Sequence, residues 1–156
     1  MSSSSSELPT FVNTAGPLDA GWEARLKEEY AALIAYIKRS KDTQTDWFRL
    51  KADDAKGLKW SGTCWTFQRH KKHQFEFSIE LPSSYPNAPP DIFVPFFENK
   101  TPKMYRGGRI CLDIHFQPLW IKKSPAFGLV HALAMGLAPW IAAEIPIAFP
   151  EVLHHS

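Results

Sequence analysis

Gln74-Phe75-Glu76-Phe77-Ser78-Ile79-Glu80-Leu81 alternates polar and apolar side chains without a break, and Pro82, Pro86, Pro89 and Pro90 follow at once. Period-two alternation marks a strand with one face on a core and the other in water. The prolines remove backbone donors and fix φ, so the strand cannot run on. Working back, Arg69, His70, Lys71 and Lys72 make a basic turn, and Leu58 to Phe67 is aromatic and Thr-rich, as strands prefer. A polar turn around Asp53, Asp54 and Gly57 separates it from a short strand at Trp47 to Leu50. Strands joined by short turns read as an antiparallel meander, and Ile92 to Val94 supplies a last short strand.

On either side the period changes. Asp19 is placed to cap a helix running to about Arg39. Trp22, Leu26, Tyr30, Leu33, Ile34 and Ile37 recur at the three-and-four spacing of one helical face, with Glu23, Lys27, Glu28, Lys38 and Arg39 on the other. From Pro95 to Trp120 no periodicity is sustained. A loop this long inside a domain tends to be functional, and it contains Cys111. An apolar helix begins at about Phe127, with a break expected at Pro139 or Pro146. Helix, meander, long active-site loop and C-terminal helix predict an α+β domain with helices on one face of an antiparallel sheet. Residues 1–7, serine-rich and polar, read as a disordered tail, leaving 8–156 as one domain.

A net charge of +2 in 156 residues argues against a dedicated nucleic-acid binder, and the basic turn reads as a solvated hairpin tip. Cys64 and Cys111 fit no metal spacing and no Cys-x-x-Cys redox motif. No Gly-rich phosphate loop appears, and Asp53 with Asp54 reads as a solvated turn. Neither a metal nor an organic cofactor is implied. The serine run at Met1 to Ser6 is not a secretory signal, which points to a reducing, cytoplasmic setting with the nucleus admissible. Ala126 to Ala143 is almost wholly apolar, but a span needs about 20 such residues. His131 and Pro139 interrupt it, so a buried helix is expected and no membrane span. Nothing demands more than a monomer.

Cys111 lies in Arg106-Gly107-Gly108-Arg109-Ile110-Cys111-Leu112. A free thiol has a pKa of about 8.5, and nearby cations favour the reactive thiolate. Lys103, Arg106 and Arg109 are close in sequence. Gly107 and Gly108 remove side chains from the approach to the sulfur. Cys64, between Gly62 and Trp65 in a predicted strand, reads as core. His115 and Asp113 would permit a Cys-His-Asp hydrolase if the base touched the sulfur and the acid oriented the base.

Tyr85-Pro86-Asn87-Ala88-Pro89-Pro90 resembles the Tyr-Pro-x-x-Pro-Pro signature of ubiquitin-conjugating enzymes, which follows the meander in that family too. Gly108-Arg109-Ile110-Cys111-Leu112-Asp113-Ile114 resembles the family's active-site segment, with Trp120 in a familiar place downstream. Most members carry His-Pro-Asn upstream of the cysteine, whereas here that register holds Thr101-Pro102-Lys103. The absent Asn counts against ordinary ubiquitin transfer.

A narrower resemblance accounts for the change. Leu26-Lys27-Glu28-Glu29-Tyr30, Asp46-Trp47-Phe48-Arg49-Leu50 and Lys103-Met104-Tyr105-Arg106-Gly107-Gly108 are similar to the conjugating enzymes of the Ufm-type ubiquitin-fold modifier. So are Ile110-Cys111-Leu112, His115-Phe116, Pro118-Leu119-Trp120, Phe127-Gly128-Leu129, Pro139-Trp140 and Glu144-Ile145-Pro146. That family has Thr-Ala-Lys, so Lys103 agrees and Pro102 varies. It often has Leu-Thr-Asp-His after the cysteine, where this chain has Leu112-Asp113-Ile114-His115.

The resemblance implies a nucleophile at Cys111 that accepts the Ufm-type modifier from an activating enzyme as a thioester. A ligase then positions a target-protein lysine to attack. Lys103 is the candidate thiolate or oxyanion stabiliser. Thr101, Pro102, Arg106, Gly107, Gly108, Asp113 and His115 are the supporting positions. Leu119 and Trp120 are expected to pin the loop to the core. The alternatives are a non-catalytic modifier-binding module of the same fold and a conjugating enzyme for ubiquitin itself.

Overall fold

The computed structural model describes residues 8–149. The predicted tail at 1–7 and the last residues, 150–156, lie outside that range. Four strands, β1 (Phe48–Ala52), β2 (Lys59–Gln68), β3 (Lys71–Glu80) and β4 (Asp91–Phe93), form an antiparallel sheet in sequence order. The alternation read in β3 holds, with His73, Phe75, Phe77 and Ile79 buried and their neighbours turned to solvent or half-covered. Register carries it across the sheet. Phe48, Cys64 and Phe75 form one cross-strand row, and Trp60, Ile79 and Ile92 another. Both rows are buried, so a one-residue slip would turn them to water. Arg69 and His70, both at positive φ, make the tight β2–β3 turn.

Helix α1 (Trp22–Asp42) precedes the sheet. Gly21, not Asp19, is its first flanking residue, and the Asp19 carboxylate instead accepts the Gly16 N–H at 2.7 Å. The buried face also differs from the apolar stripe. Trp22 and Leu33 are inside, but Ile34 is 65% exposed while Arg25 and Glu29 are fully buried. Arg25 donates from Nε to Glu29 Oε2 at 2.9 Å. Its remaining nitrogens reach the carbonyls of Asn13, Pro125 and Phe127. Glu29 also accepts from the Tyr85 hydroxyl at 2.6 Å and the Leu129 N–H at 2.8 Å. The two charges thus join α1 to the segment before it, to the proline-rich turn and to the last helix. Burial pushes the Glu29 carboxyl upward, and Arg25 leads the groups that oppose it.

The stretch from Pro95 to Trp120 is irregular only to Phe116. It starts with a 3-10 turn, Pro95–Phe97, and ends in a helix, α2 (Gln117–Lys123), entered through Pro118. That helix is too short to show a period in the sequence. It is held by Trp120, fully buried, whose Nε1 donates to the Pro86 carbonyl at 2.8 Å and whose ring meets Tyr85, Phe116 and Phe127.

The last helix, α3 (Leu129–Ala148), is unbroken. A π turn at Ala132–Leu137 lies just ahead of Pro139. The wider turn opens the helix where the proline ring would otherwise strike the carbonyl of Met135, so the expected break does not occur. By length and composition α3 could cross a bilayer. Leu129, Val130, Leu133, Leu137 and Ile145 are instead buried in the domain core.

Candidate active site

The loop is fixed by a short bracket hung on the sheet edge. The Ile110 N–H donates to Ile92 O and the Val94 N–H to Gly108 O, each at 2.9 Å, which ties 108–110 to β4. The chain reverses over Arg106, Gly107 and Gly108. The Tyr105 N–H donates to Arg109 O at 2.7 Å, and Met104 bridges Ile110. Both glycines have positive φ, +90° and +88°, which other residues adopt only at a cost. Gly108 is buried, with the site of an added Cβ 3.3 Å from Pro95 Cα. The glycines therefore shape the turn.

One step beyond this bracket, the Cys111 N–H donates to Lys103 O at 2.9 Å. Backbone pairing, not sequence proximity, is what places Lys103 beside the cysteine. The Lys103 carbonyl also accepts Trp140 Nε1 at 3.2 Å, which anchors the pair to α3. Thr101 Oγ1 accepts the Lys103 N–H at 2.9 Å. Pro102 and Lys103 are exposed.

Cys111 is half-buried and Cys64 is sealed, and both are free thiols. Burial pushes the Cys64 thiol up to about 12, so it is inert at neutral pH. Cys111 lies on a cleft of ≈ 400 Å³ shared with Lys103, Leu112, His115, Trp140 and Glu144. A larger hollow of ≈ 540 Å³ on the sheet, near Arg49, Thr63 and Glu76, contains neither cysteine. Size therefore does not locate the chemistry, and the cleft at Cys111 is the candidate site.

Other sequence candidates are placed differently. Arg106 is exposed on the turn. The Arg109 guanidinium is committed elsewhere, 4.0 Å over the Tyr105 ring and 3.8 Å from Asp91. His115 lines the cleft, but no hydrogen bond joins it to Cys111 among the described residues. Asp113 accepts from the Tyr105 hydroxyl and does not orient His115. The Cys-His-Asp hydrolase arrangement is therefore not assembled. Tyr105 is the residue that sequence reasoning passed over. Its hydroxyl is 3.7 Å from the Cys111 sulfur. Its place in the turn is visible only once the two glycines are seen to fold residues 105 and 109 together.

The family model described as "Ubiquitin-fold modifier-conjugating enzyme 1" matches residues 1–153. The chain belongs to this family. It is 49% identical over 142 residues to the ubiquitin-fold modifier-conjugating enzyme 1 of Oryza sativa subsp. japonica, covering 90% of this chain and 77% of that one. With the Mus musculus protein of the same name the identity is 47%, covering 90% and 84%. Among solved structures, human ubiquitin-conjugating enzyme E2 G1 superposes with a TM-score of 0.52 at 15% identity, covering 82% of this chain and 98% of that one. The H. polymorpha ubiquitin-conjugating enzyme Pex4p, solved with the soluble domain of Pex22p, gives 0.53 at 21%, covering 84% and 80%. These structures show a shared fold. The family makes this chain a ubiquitin-fold modifier-conjugating enzyme.

Proposed function

We propose that Cys111 accepts the Ufm-type modifier from its activating enzyme as a thioester and, with a ligase, passes it to lysine amines of target proteins. The observation that carries this is the contrast between the two thiols. Cys64 is sealed in the core, whereas Cys111 opens on a cleft, on a loop braced by the sheet and α3.

In loading, the Cys111 sulfur attacks the carbonyl carbon of the incoming thioester. The tetrahedral oxyanion collapses, the bond to the activating enzyme's sulfur breaks, and that sulfur leaves. In discharge, a lysine nitrogen attacks the same carbon, loses a proton, and the Cys111 thiolate leaves. Each oxyanion needs a fixed donor where charge develops. Lys103, tied to Cys111 through the backbone, is the residue we assign to that charge or to the thiolate. Thr101 and Pro102 set its turn, while Gly107 and Gly108 set the bracket. We take 8–156 as the catalytic domain, acting as a monomer in the cytoplasm with the nucleus admissible. Activation of the modifier takes place on the activating enzyme.

The test is to mix the chain with Ufm-type modifier, its activating enzyme and ATP, then run a non-reducing gel. The expected result is a band shifted by one modifier, abolished by thiol reductant and by Cys111→Ala. No band, with the activating enzyme shown to be charged, refutes the reading and favours ubiquitin or a non-catalytic modifier-binding role.

A further inference from the structure

The Cys111 sulfur is one end of a hydrogen-bonded chain. The thiol donates to the Tyr105 hydroxyl oxygen at 3.7 Å, and that hydroxyl donates to Asp113 Oδ2. The phenol is held by its backbone bond to Arg109 and by the Arg109 guanidinium 4.0 Å over its ring. Asp91, 3.8 Å from that guanidinium, steadies it in turn. Asp113 is exposed, so a proton arriving there can leave to water. Its hydrogen bond with Asp113, then that with Cys111, holds the Tyr105 phenol above its ordinary pKa.

We propose that Tyr105 is a catalytic residue of loading, its hydroxyl taking the proton of the Cys111 thiol while passing its own proton to Asp113. This rests on the reading of Cys111 as the nucleophile. As the S–H proton moves to Tyr105 Oη, the sulfur pair forms the bond to the thioester carbon, and the Tyr105 proton neutralises Asp113. When the tetrahedral intermediate collapses, the departing sulfur leaves as a thiolate and takes a proton from water, while Asp113 returns one to water. No net proton or electron is gained. Asp113 acts through Tyr105 and is a positioning residue. The other charged or titratable groups around the sulfur are Lys103, His115 and Glu144, which share its cleft. Among the described residues none of them hydrogen-bonds to it.

The size of the effect is bounded. A thiol of pKa about 8.5 is only about 3% thiolate at pH 7, so a relay that made every thiol behave as thiolate would gain roughly thirtyfold. The gain vanishes once the thiol ionises unaided.

The experiment measures single-turnover loading between pH 6.5 and 9.5 for the wild type, Tyr105→Phe and Asp113→Asn. Phe keeps the ring under Arg109 and removes only the hydroxyl. The wild-type rate is expected to change little between pH 7 and 9. Both variants should rise about tenfold per pH unit from a rate up to roughly thirtyfold lower at pH 7, and meet the wild type above pH 9. A constant ratio to wild type at every pH, or no loss in either variant, overturns the relay. Alkylation of Cys111 by iodoacetamide forms a carbon–sulfur bond with loss of the same proton and needs neither modifier nor activating enzyme. Its pH profile therefore decides the relay even if loading fails outright, a failure that would fall on the proposed function.

Discussion

Replacing His131 by Gln probes how the start of α3 is held, and its effect can be worked out from the burial of one ring. His131 is 2% exposed and stacks on Phe127 with ring centroids 4.2 Å apart. Its Nδ1 accepts the Gly128 N–H at 2.9 Å, so a proton added there would face another donor. Burial, then the Arg25 charge, push its pKa from 6.5 down to about 4, against smaller upward pulls that include the Pro9 carbonyl. Above pH 6.5 both the folded and unfolded chains hold a neutral ring, and the fold keeps its full stability. Below it the unfolded chain takes up a proton that the folded chain refuses. Stability then falls by about 1.4 kcal/mol per pH unit until the folded ring itself titrates. The loss is about 2 kcal/mol at pH 5 and saturates near roughly 3 kcal/mol, a large share of the ~5–15 kcal/mol typical of a domain. Urea unfolding of wild type and His131→Gln from pH 7.5 to 4.5 isolates this contribution. The variant is less stable at pH 7.5, and the gap should close by about 2 kcal/mol at pH 5. Parallel curves, or an imidazole that titrates near 6.5 by NMR in the folded protein, would refute the reasoning.

Three further outcomes are expected. Glu29→Ala leaves the Arg25 guanidinium, the Tyr85 hydroxyl and the Leu129 N–H without their shared acceptor; breaking a buried pair in this way costs about 3–5 kcal/mol, and a loss under about 1 kcal/mol in urea unfolding would mean that water replaces it. Gly108→Ala meets both a φ of +88° and Pro95 Cα at 3.3 Å, whereas Gly107→Ala meets only a φ of +90° in open space. Residues with a Cβ lose about 1–2 kcal/mol in this region, so Gly107→Ala should lose about that much and Gly108→Ala more; equal losses in thermal unfolding would remove the steric argument. Lys103→Ala should slow loading or discharge by about a hundredfold, the value of one good oxyanion donor at roughly 3 kcal/mol, and unchanged single-turnover rates for both steps would exclude the role.

The parts of the fold that were legible in the sequence are those in which a local pattern and the tertiary environment agree. β3 alternates because one face meets the core, and its neighbours follow through turns short enough to fix their pairing. α1 shows where the two separate. Its helical period was visible, yet the buried face carries Arg25 and Glu29 and leaves Ile34 outside. A pattern of apolar residues cannot show that, because the partners that make these charges tolerable lie at Asn13, Tyr85, Pro125, Phe127 and Leu129. The break expected at Pro139 failed for a related reason, since the π turn that accommodates the ring has no signature in periodicity.

The candidate site divides along the same line. Cys111 and Lys103 stood out as residue types within a motif, and one backbone hydrogen bond explains their spacing. Their electrostatic setting did not stand out. Sequence proximity suggested three cations around the thiol, but Arg109 lies over Tyr105 beside Asp91, and Arg106 is out on the turn. What meets the sulfur is a neutral phenol backed by a carboxylate. A cationic pocket would lower the thiol's pKa and leave a standing thiolate open to oxidation and alkylation. In the proposed relay, a neutral hydroxyl backed by a carboxylate instead takes the proton as the sulfur attacks. In the proposed thioester transfer, that second arrangement ties loss of the proton to bond formation at the sulfur, so it acts on any electrophile that reaches Cys111.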